Sequence, residues 1–296
     1  MADDDGLAWI WHAARMKHDE SHSMRWATGN CHVDGVDIHY IRTGGDLPPL
    51  VALHGLLGSG ACLAPLARSL ESSFDVVLPD ARGHGKSSAP SKGYLYSDLA
   101  GDVAGLVKEL KLQAPILLGH SMGGMTAAVA AANLGPSIAG LVLVDPTFIS
   151  PEWQREVFES DIAGDHRRSL MSERAELFAQ ARLRHPARSA EVQECLVDAR
   201  LQTSLSAFEV LTPPNPDYCE LVKHISAPIL LVIGDRGVVS LETAGKLRAL
   251  NPLLRYETIA NVGHGIPYDK PAQLSAAILP FLRMVSESWN RAAAED

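Results

Sequence analysis

Cysteine is scarce in this chain, with four residues among 296. Cys31, Cys62, Cys195 and Cys219 are scattered and form no C-x-x-C pair. That spacing fits neither a zinc site nor a disulfide framework and points to reduced, structural thiols in a cytoplasmic protein. Positive charge is in deficit: 26 Lys and Arg stand against 35 Asp and Glu, a formal net charge of −9. So acidic a balance argues against nucleic acid or an anionic membrane surface as the main partner. The N-terminal stretch is acidic from its third residue and has no apolar core of a secretory signal. Charge is missing altogether from Leu112 to Val144, although charged residues make up 21% of the chain. A membrane span is the blunt reading of such a gap. Pro115, His120, Ser121, Gly123, Gly124, Asn133, Gly135 and Pro136 interrupt it, however, and leave no unbroken apolar core. With 46% hydrophobic residues, the composition is that of a globular chain with a real core and not of a disordered one.

What is present alternates. Asp34-Gly35 is a turn signal between CHV and VDIHYIR and predicts a hairpin, with strand character from residue 30. LVALH (50–54), DVVLPD (75–80), ILLG (116–119), LVLV (141–144), ILLVIG (229–234) and LLRYETI (253–259) read as strands. Helices are expected over 61–71, 98–110, 122–134, 241–250 and 271–285. Strands alternating with helices imply an α/β domain with a mostly parallel sheet covered on both faces. The alternation breaks over 150–222, where charged helical stretches contain no convincing strand. The division that follows is an N-terminal helical extension at 1–28, an α/β core at 29–149 and 223–296, and an all-helical insertion at 150–222. AWIWHAARMKH, with Trp9, Trp11 and Trp26 as anchors, predicts a helix packed on the body or at a dimer contact. No metal site converges on His12, His18 and His22.

Gly119-His120-Ser121-Met122-Gly123 fits G-x-S-x-G, with an apolar strand before it and a small-residue helix after it. The flanking glycines permit a turn too tight for side chains. The turn would expose the Ser121 hydroxyl at the C-terminal edge of the sheet, where open α/β sheets place ligands. The N-terminus of the following helix favours developing negative charge there.

On these motifs the chain resembles the α/β-hydrolase superfamily over about residues 35–285. His54-Gly55-Leu56-Leu57-Gly58 is similar to the family's oxyanion loop, and the resemblance implies that the N–H groups of Leu56 and Met122 hold an oxyanion. Asp80-Ala-Arg82-Gly-His84-Gly-Lys-Ser87 resembles a family loop that is structural, so Asp80, Arg82 and His84 carry no catalytic expectation. His264, in Asn261-Val-Gly-His-Gly265 after the last strand, stands where the family keeps its catalytic histidine. Such a base is needed because a serine hydroxyl is a poor nucleophile until its proton is taken. The acid departs from the usual pattern. The family places it fourth in G-x-x-D, but this chain reads Gly234-Asp235-Arg236-Gly237. In some members, including one group of haloalkane dehalogenases and some lactone hydrolases, it follows the earlier strand, which here ends at Asp145. Asp145 is therefore preferred, and Asp235 is the alternative.

The resemblance implies a serine hydrolase that acts on a carboxylic ester or lactone of a small molecule through Ser121, His264 and Asp145. The helical insertion would be a cap over the mouth. Amides, C–C bonds of diketones and perhydrolysis remain open on the same residues, as does a hydrolase-like receptor. A serine nucleophile argues against dehalogenase and epoxide-hydrolase chemistry, where relatives use aspartate. No phosphate loop, metal cluster or nucleotide fingerprint occurs, so no cofactor is expected. The expected partner is a small-molecule substrate, with no nucleic acid and no membrane, and the chain is a monomer or homodimer. Phe148, Trp153, Phe158, Phe178, Phe208 and Tyr218 could line the site or hold the cap to the body. His166-Arg167-Arg168 reads as a solvated helix face, with an acid-binding group as the alternative.

Overall fold

The computed structural model describes residues 26–292, the side chains of 288–292 excepted. Asp34 and Gly35 both take positive φ (46° and 84°), which a two-residue hairpin turn requires. They join β1 (Ala27–Val33) to its antiparallel partner β2 (Val36–Arg42). The first strand thus starts at Ala27, inside the segment expected to be a helical extension. Residues 1–25, with Trp9, Trp11 and the helix expected there, lie outside the described residues. The Trp26 indole N–H donates to Glu71 at 2.5 Å and so ties the start of the described chain to the body.

The other strands are β3 (Pro49–Leu53), β4 (Asp75–Pro79), β5 (Ile116–His120), β6 (Gly140–Val144), β7 (Ile229–Arg236) and β8 (Leu254–Gly263). They form one eight-stranded sheet in the order β1-β2-β4-β3-β5-β6-β7-β8, parallel from β4 onward. Helices α1 (Ala64–Leu70), α2 (Tyr96–Glu109) and α3 (Met122–Leu134) alternate with strands. Four helices then follow with no strand between them: α4 (Pro151–Glu159), α5 (Ile162–Leu170), α6 (Arg174–Arg184) and α7 (Ala190–Leu201). The chain closes through α8 (Tyr218–His224), α9 (Leu241–Leu250), the one-turn α10 (Ile266–Asp269) and α11 (Pro271–Ala292). The division expected at 222/223 falls inside α8, which packs on α3 and α9 with the body. Among the described residues no helix is long and apolar enough to cross a membrane.

Side chains alternate between two cores, as a pleated sheet requires. Leu117, Leu141, Leu143 and Leu231 face α2, α3, α8 and α9, while Leu118, Val142, Val144 and Val232 face α1 and α11. Helix α3 is held between the sheet, α2 and α8, and every residue from Met122 to Ala131 is buried. A helix that is apolar on all sides belongs in such a place. The charge-free run is therefore β5, α3 and β6, the centre of the two cores.

The loop after β4 is tied by polar contacts. The Asp80 carboxylate accepts from the Gly60 amide at 2.7 Å and the Lys86 amide at 2.9 Å, and it bonds His39 Nδ1 at 2.9 Å. Arg82 grips Asp102 of α2 with two bonds of 2.6 Å, and both side chains are nearly buried. Removing one partner of such a pair strands a buried charge, at a cost of about 3–5 kcal/mol. Asp102→Asn should accordingly lower the melting temperature by roughly 6–12 °C in thermal denaturation. A change smaller than about 2 °C would mean that the guanidinium finds water instead.

Candidate active site

Ser121 occupies the junction between β5 and α3 with φ 57° and ψ −121°, a backbone that L-residues rarely adopt. The turn closes so tightly that a Cβ on Gly119 would run into the Gly123 carbonyl, and one on Gly123 into the carbonyls of Leu53 and His54. Glycine at both positions is thus a steric requirement.

His264 follows β8, and its ring reaches back to the serine. Ser121 Oγ lies 2.8 Å from His264 Nε2, and Asp145 Oδ2 lies 2.7 Å from Nδ1. With Nδ1–H donating to the carboxylate, Nε2 is free to accept from the Ser121 hydroxyl. Asp145 ends β6 with no exposed surface. Its carboxylate also accepts from the Val238 amide at 2.9 and 3.0 Å and the Val239 amide at 3.0 Å. Burial alone would raise its pKa. The His264 bond and the Val239 and Val238 amides outweigh burial and hold the carboxyl below its ordinary value.

Asp235 is placed differently. It is exposed and accepts from the amides of Asn261 at 2.8 Å and Val262 at 3.0 Å, tying the end of β7 to β8. Those two amides lower its pKa, and it makes no bond to His264.

The loop after β3 presses on the serine, and a Cβ on Gly55 would sit 3.0 Å from Ser121 Cβ. Among the described residues neither the Leu56 nor the Met122 amide donates to another protein group. Ser121 and His264 open into a cleft of about 1030 Å³, roofed by α5, α6 and α7. None of the six aromatic residues weighed as lining borders this cleft. Phe148 stacks on Tyr218 at 5.0 Å and Phe208 on His166 at 4.9 Å, while Trp153 and Phe158 are exposed. His166 is buried, with Nε2 on the Thr203 carbonyl, and so does not belong to a solvated helix face. Among the described residues no group of three or more His, Cys, Asp or Glu could hold a metal.

A family model for the alpha/beta hydrolase fold matches residues 48–271. The chain belongs to the alpha/beta hydrolase family. It is 29% identical over 272 residues to N-formylmaleamate deformylase of Pseudomonas putida, covering 86% of this chain and 96% of that one. To 2-(acetamidomethylene)succinate hydrolase of Mesorhizobium japonicum it is 26% identical, covering 82% and 90%. The crystal structure of an E-2-(acetamidomethylene)succinate hydrolase superposes with a TM-score of 0.75 at 22% identity, covering 88% of this chain and all of that one.

In this alpha/beta hydrolase the fourth position of Gly234-Asp235-Arg236-Gly237 leaves no room for a side chain. A Cβ at Gly237 would stand 2.6 Å from Asp145 Oδ1. The loop that carries the acid in other members here lends its amides to an acid on the neighbouring strand. Sequence reading missed those amides because a backbone donor leaves no mark on residue type. It also missed His120, whose Nε2–H donates to the His264 carbonyl at 2.7 Å. Burial, then the neighbouring His264, pushes the pKa of His120 down to about 3, so the ring is neutral. Tyr268 packs edge-on against it at 5.4 Å. Gly237→Ala should crowd Asp145 and misalign His264, slowing fluorophosphonate labelling of Ser121 about tenfold or more while circular dichroism stays native. Labelling at the wild-type rate would show that the loop gives way instead.

Proposed function

We propose that this alpha/beta hydrolase is a serine hydrolase of the carboxylesterase or lactonase type, acting on a small-molecule carboxylic ester or lactone. The observation that carries the reading is the continuous hydrogen-bonded chain Ser121–His264–Asp145 at the floor of the cleft. Ser121 Oγ attacks the carbonyl carbon while His264 Nε2 takes its proton. Asp145 keeps the imidazole in the tautomer that can do so and stabilises the imidazolium. The oxyanion is held by the amides of Leu56 and Met122, each donor contributing on the order of 3 kcal/mol to barrier lowering. His264 returns the proton to the leaving alcohol. Water then repeats the attack on the acyl-enzyme and regenerates Ser121. The scheme needs no cofactor. Helices α4 to α7 act as a cap that excludes water and shapes the choice of substrate. The four cysteines, all free, fit a reducing compartment, and the reading places the enzyme in the cytoplasm.

Cleavage of an amide is the second reading. It is favoured by the names of two relatives, a deformylase of an N-formyl compound and a hydrolase of an acetamidomethylene compound. Both readings use the same acyl-enzyme and differ in whether His264 protonates an alkoxide or an amine.

A panel of p-nitrophenyl esters, lactones and N-formyl or N-acetyl amides, run with wild type and Ser121→Ala, tests both readings. Multiple turnover is expected on at least one class, with kcat down about 10⁴-fold or more in Ser121→Ala. The fastest class decides between ester and amide. A single turnover followed by arrest would favour a receptor that binds a small molecule. Absence of both turnover and fluorophosphonate labelling would falsify the serine-hydrolase reading. Asp145→Asn should cost about 10⁴ in kcat, whereas Asp235→Asn should leave kcat near wild type. The reverse pattern would transfer the acid's role to Asp235.

A further inference from the structure

The chain is acidic overall, yet the cleft above Ser121 is bordered by five arginines and only two aspartates. Both carboxylates are already engaged. Asp165 bonds Arg168, which also holds Asp161, and Asp269 bonds Arg188 at 2.6 Å. Arg236, on the rim, lies 3.8 Å from Asp235 and is largely exposed. That leaves Arg184, at the end of α6, and Arg200, near the end of α7. Among the described residues neither pairs with a carboxylate. Arg200 is half-buried, and of its five donors one makes a bond, a long 3.4 Å contact with Ser169 Oγ. A half-buried guanidinium with no carboxylate bonded to it is a costly arrangement in a folded protein. Burial, and then the like charge of Arg184, act against its charged form, and the nearby Asp165, already bonded to Arg168, offsets them only in part. A bound anion would relieve both.

We propose that Arg200, with Arg184 beside it, binds a carboxylate of the substrate, so that the cleft selects acyl compounds that carry a negative charge away from the scissile bond. The proposal rests on the hydrolytic reading of Ser121. The guanidinium fork meets a carboxylate through two parallel N–H···O bonds, which fixes orientation as well as position. Arg184 and Arg200 come from the helices that roof the cleft, whereas Ser121 and His264 come from the sheet below. A substrate held by its carboxylate at the roof would present its carbonyl to the floor. Arg168, part of the His166-Arg167-Arg168 stretch weighed as an acid-binding group, is already paired with Asp161 and Asp165.

The test compares kcat/KM for mono-4-nitrophenyl adipate, which carries a carboxylate, with that for 4-nitrophenyl hexanoate, which has the same chain length and none. The ratio of the two should fall about 30-fold in Arg200→Gln, mainly through KM, as expected for loss of a charge-assisted hydrogen bond. Arg200→Lys, which keeps charge and loses the fork, should recover part of it, and Arg184→Gln should fall by a smaller factor. Any misfolded fraction cancels in the ratio. A ratio that moves by less than about threefold in Arg200→Gln overturns the proposal. A second measurement needs no turnover: calorimetric binding of adipate to Ser121→Ala protein, with and without Arg200→Gln. Binding that is lost with Arg200 supports the proposal even if wild type cleaves neither ester, in which case only the hydrolytic reading fails. Absence of adipate binding to Ser121→Ala protein overturns it.

Discussion

A carboxylate with no access to water must be solvated by the protein itself. Asp145 is in that position, and much of the site follows from how its need is met. Three hydrogen bonds from the amides of Val238 and Val239 bring the loop after β7 over the end of β6. That approach leaves no room for a side chain at Gly237. The remaining acceptor capacity goes to His264, which fixes the ring over Ser121. Because these bonds outweigh the burial that opposes ionisation, the carboxyl keeps a lowered pKa and remains charged at neutral pH.

The serine is held by a constraint of a different kind. Its backbone is strained, and the two glycines around it are pinned between β5, α3 and the loop after β3. Strain of this kind persists only where the surroundings over-determine the conformation. Here the surroundings are the two cores on either face of the sheet, and Ser121 sits at the point where the central strand passes into the most buried helix. His120 extends the restraint to the other partner through the His264 carbonyl. The residues on both sides of the Ser121 hydrogen bond are thereby fixed by groups that take no part in it.

The cleft above shows how an acidic chain can build a cationic surface. Its net charge of −9 is a sum over the whole molecule, and a substrate senses the groups within a Debye length of its path. Arginines from α5, α6 and α7 converge there, and the aspartates among them are consumed in pairs with Arg168 and Arg188. In the proposed reading, substrate choice rests on helices that contribute nothing to the sheet, and chemistry on the C-terminal edge of the sheet. The two can therefore vary separately.

Much of the fold was legible in the residues. Hydrophobic alternation located each strand to within a few positions, Asp34-Gly35 marked the hairpin, and the charge-free run from Leu112 to Val144 corresponds to the doubly covered centre of the sheet. These features are local: periodicity, turn chemistry and burial write themselves into residue type. Ser121 was also visible, because a strained turn demands glycine neighbours, and His264 was visible through its resemblance to the family's histidine after the last strand. What sequence left open was which carboxylate stands against His264, since Asp145 follows β6 and Asp235 lies at the end of β7, and both strands lie on the same side of β8 in the sheet order. The unpaired state of Arg200 was equally hidden, as an arginine in a charged helix reads the same whether an aspartate neutralises it or not. Local sequence determined which groups are present and which elements carry them. Only the tertiary structure decided which charges find partners, because pairing depends on a few ångströms between segments far apart along the chain.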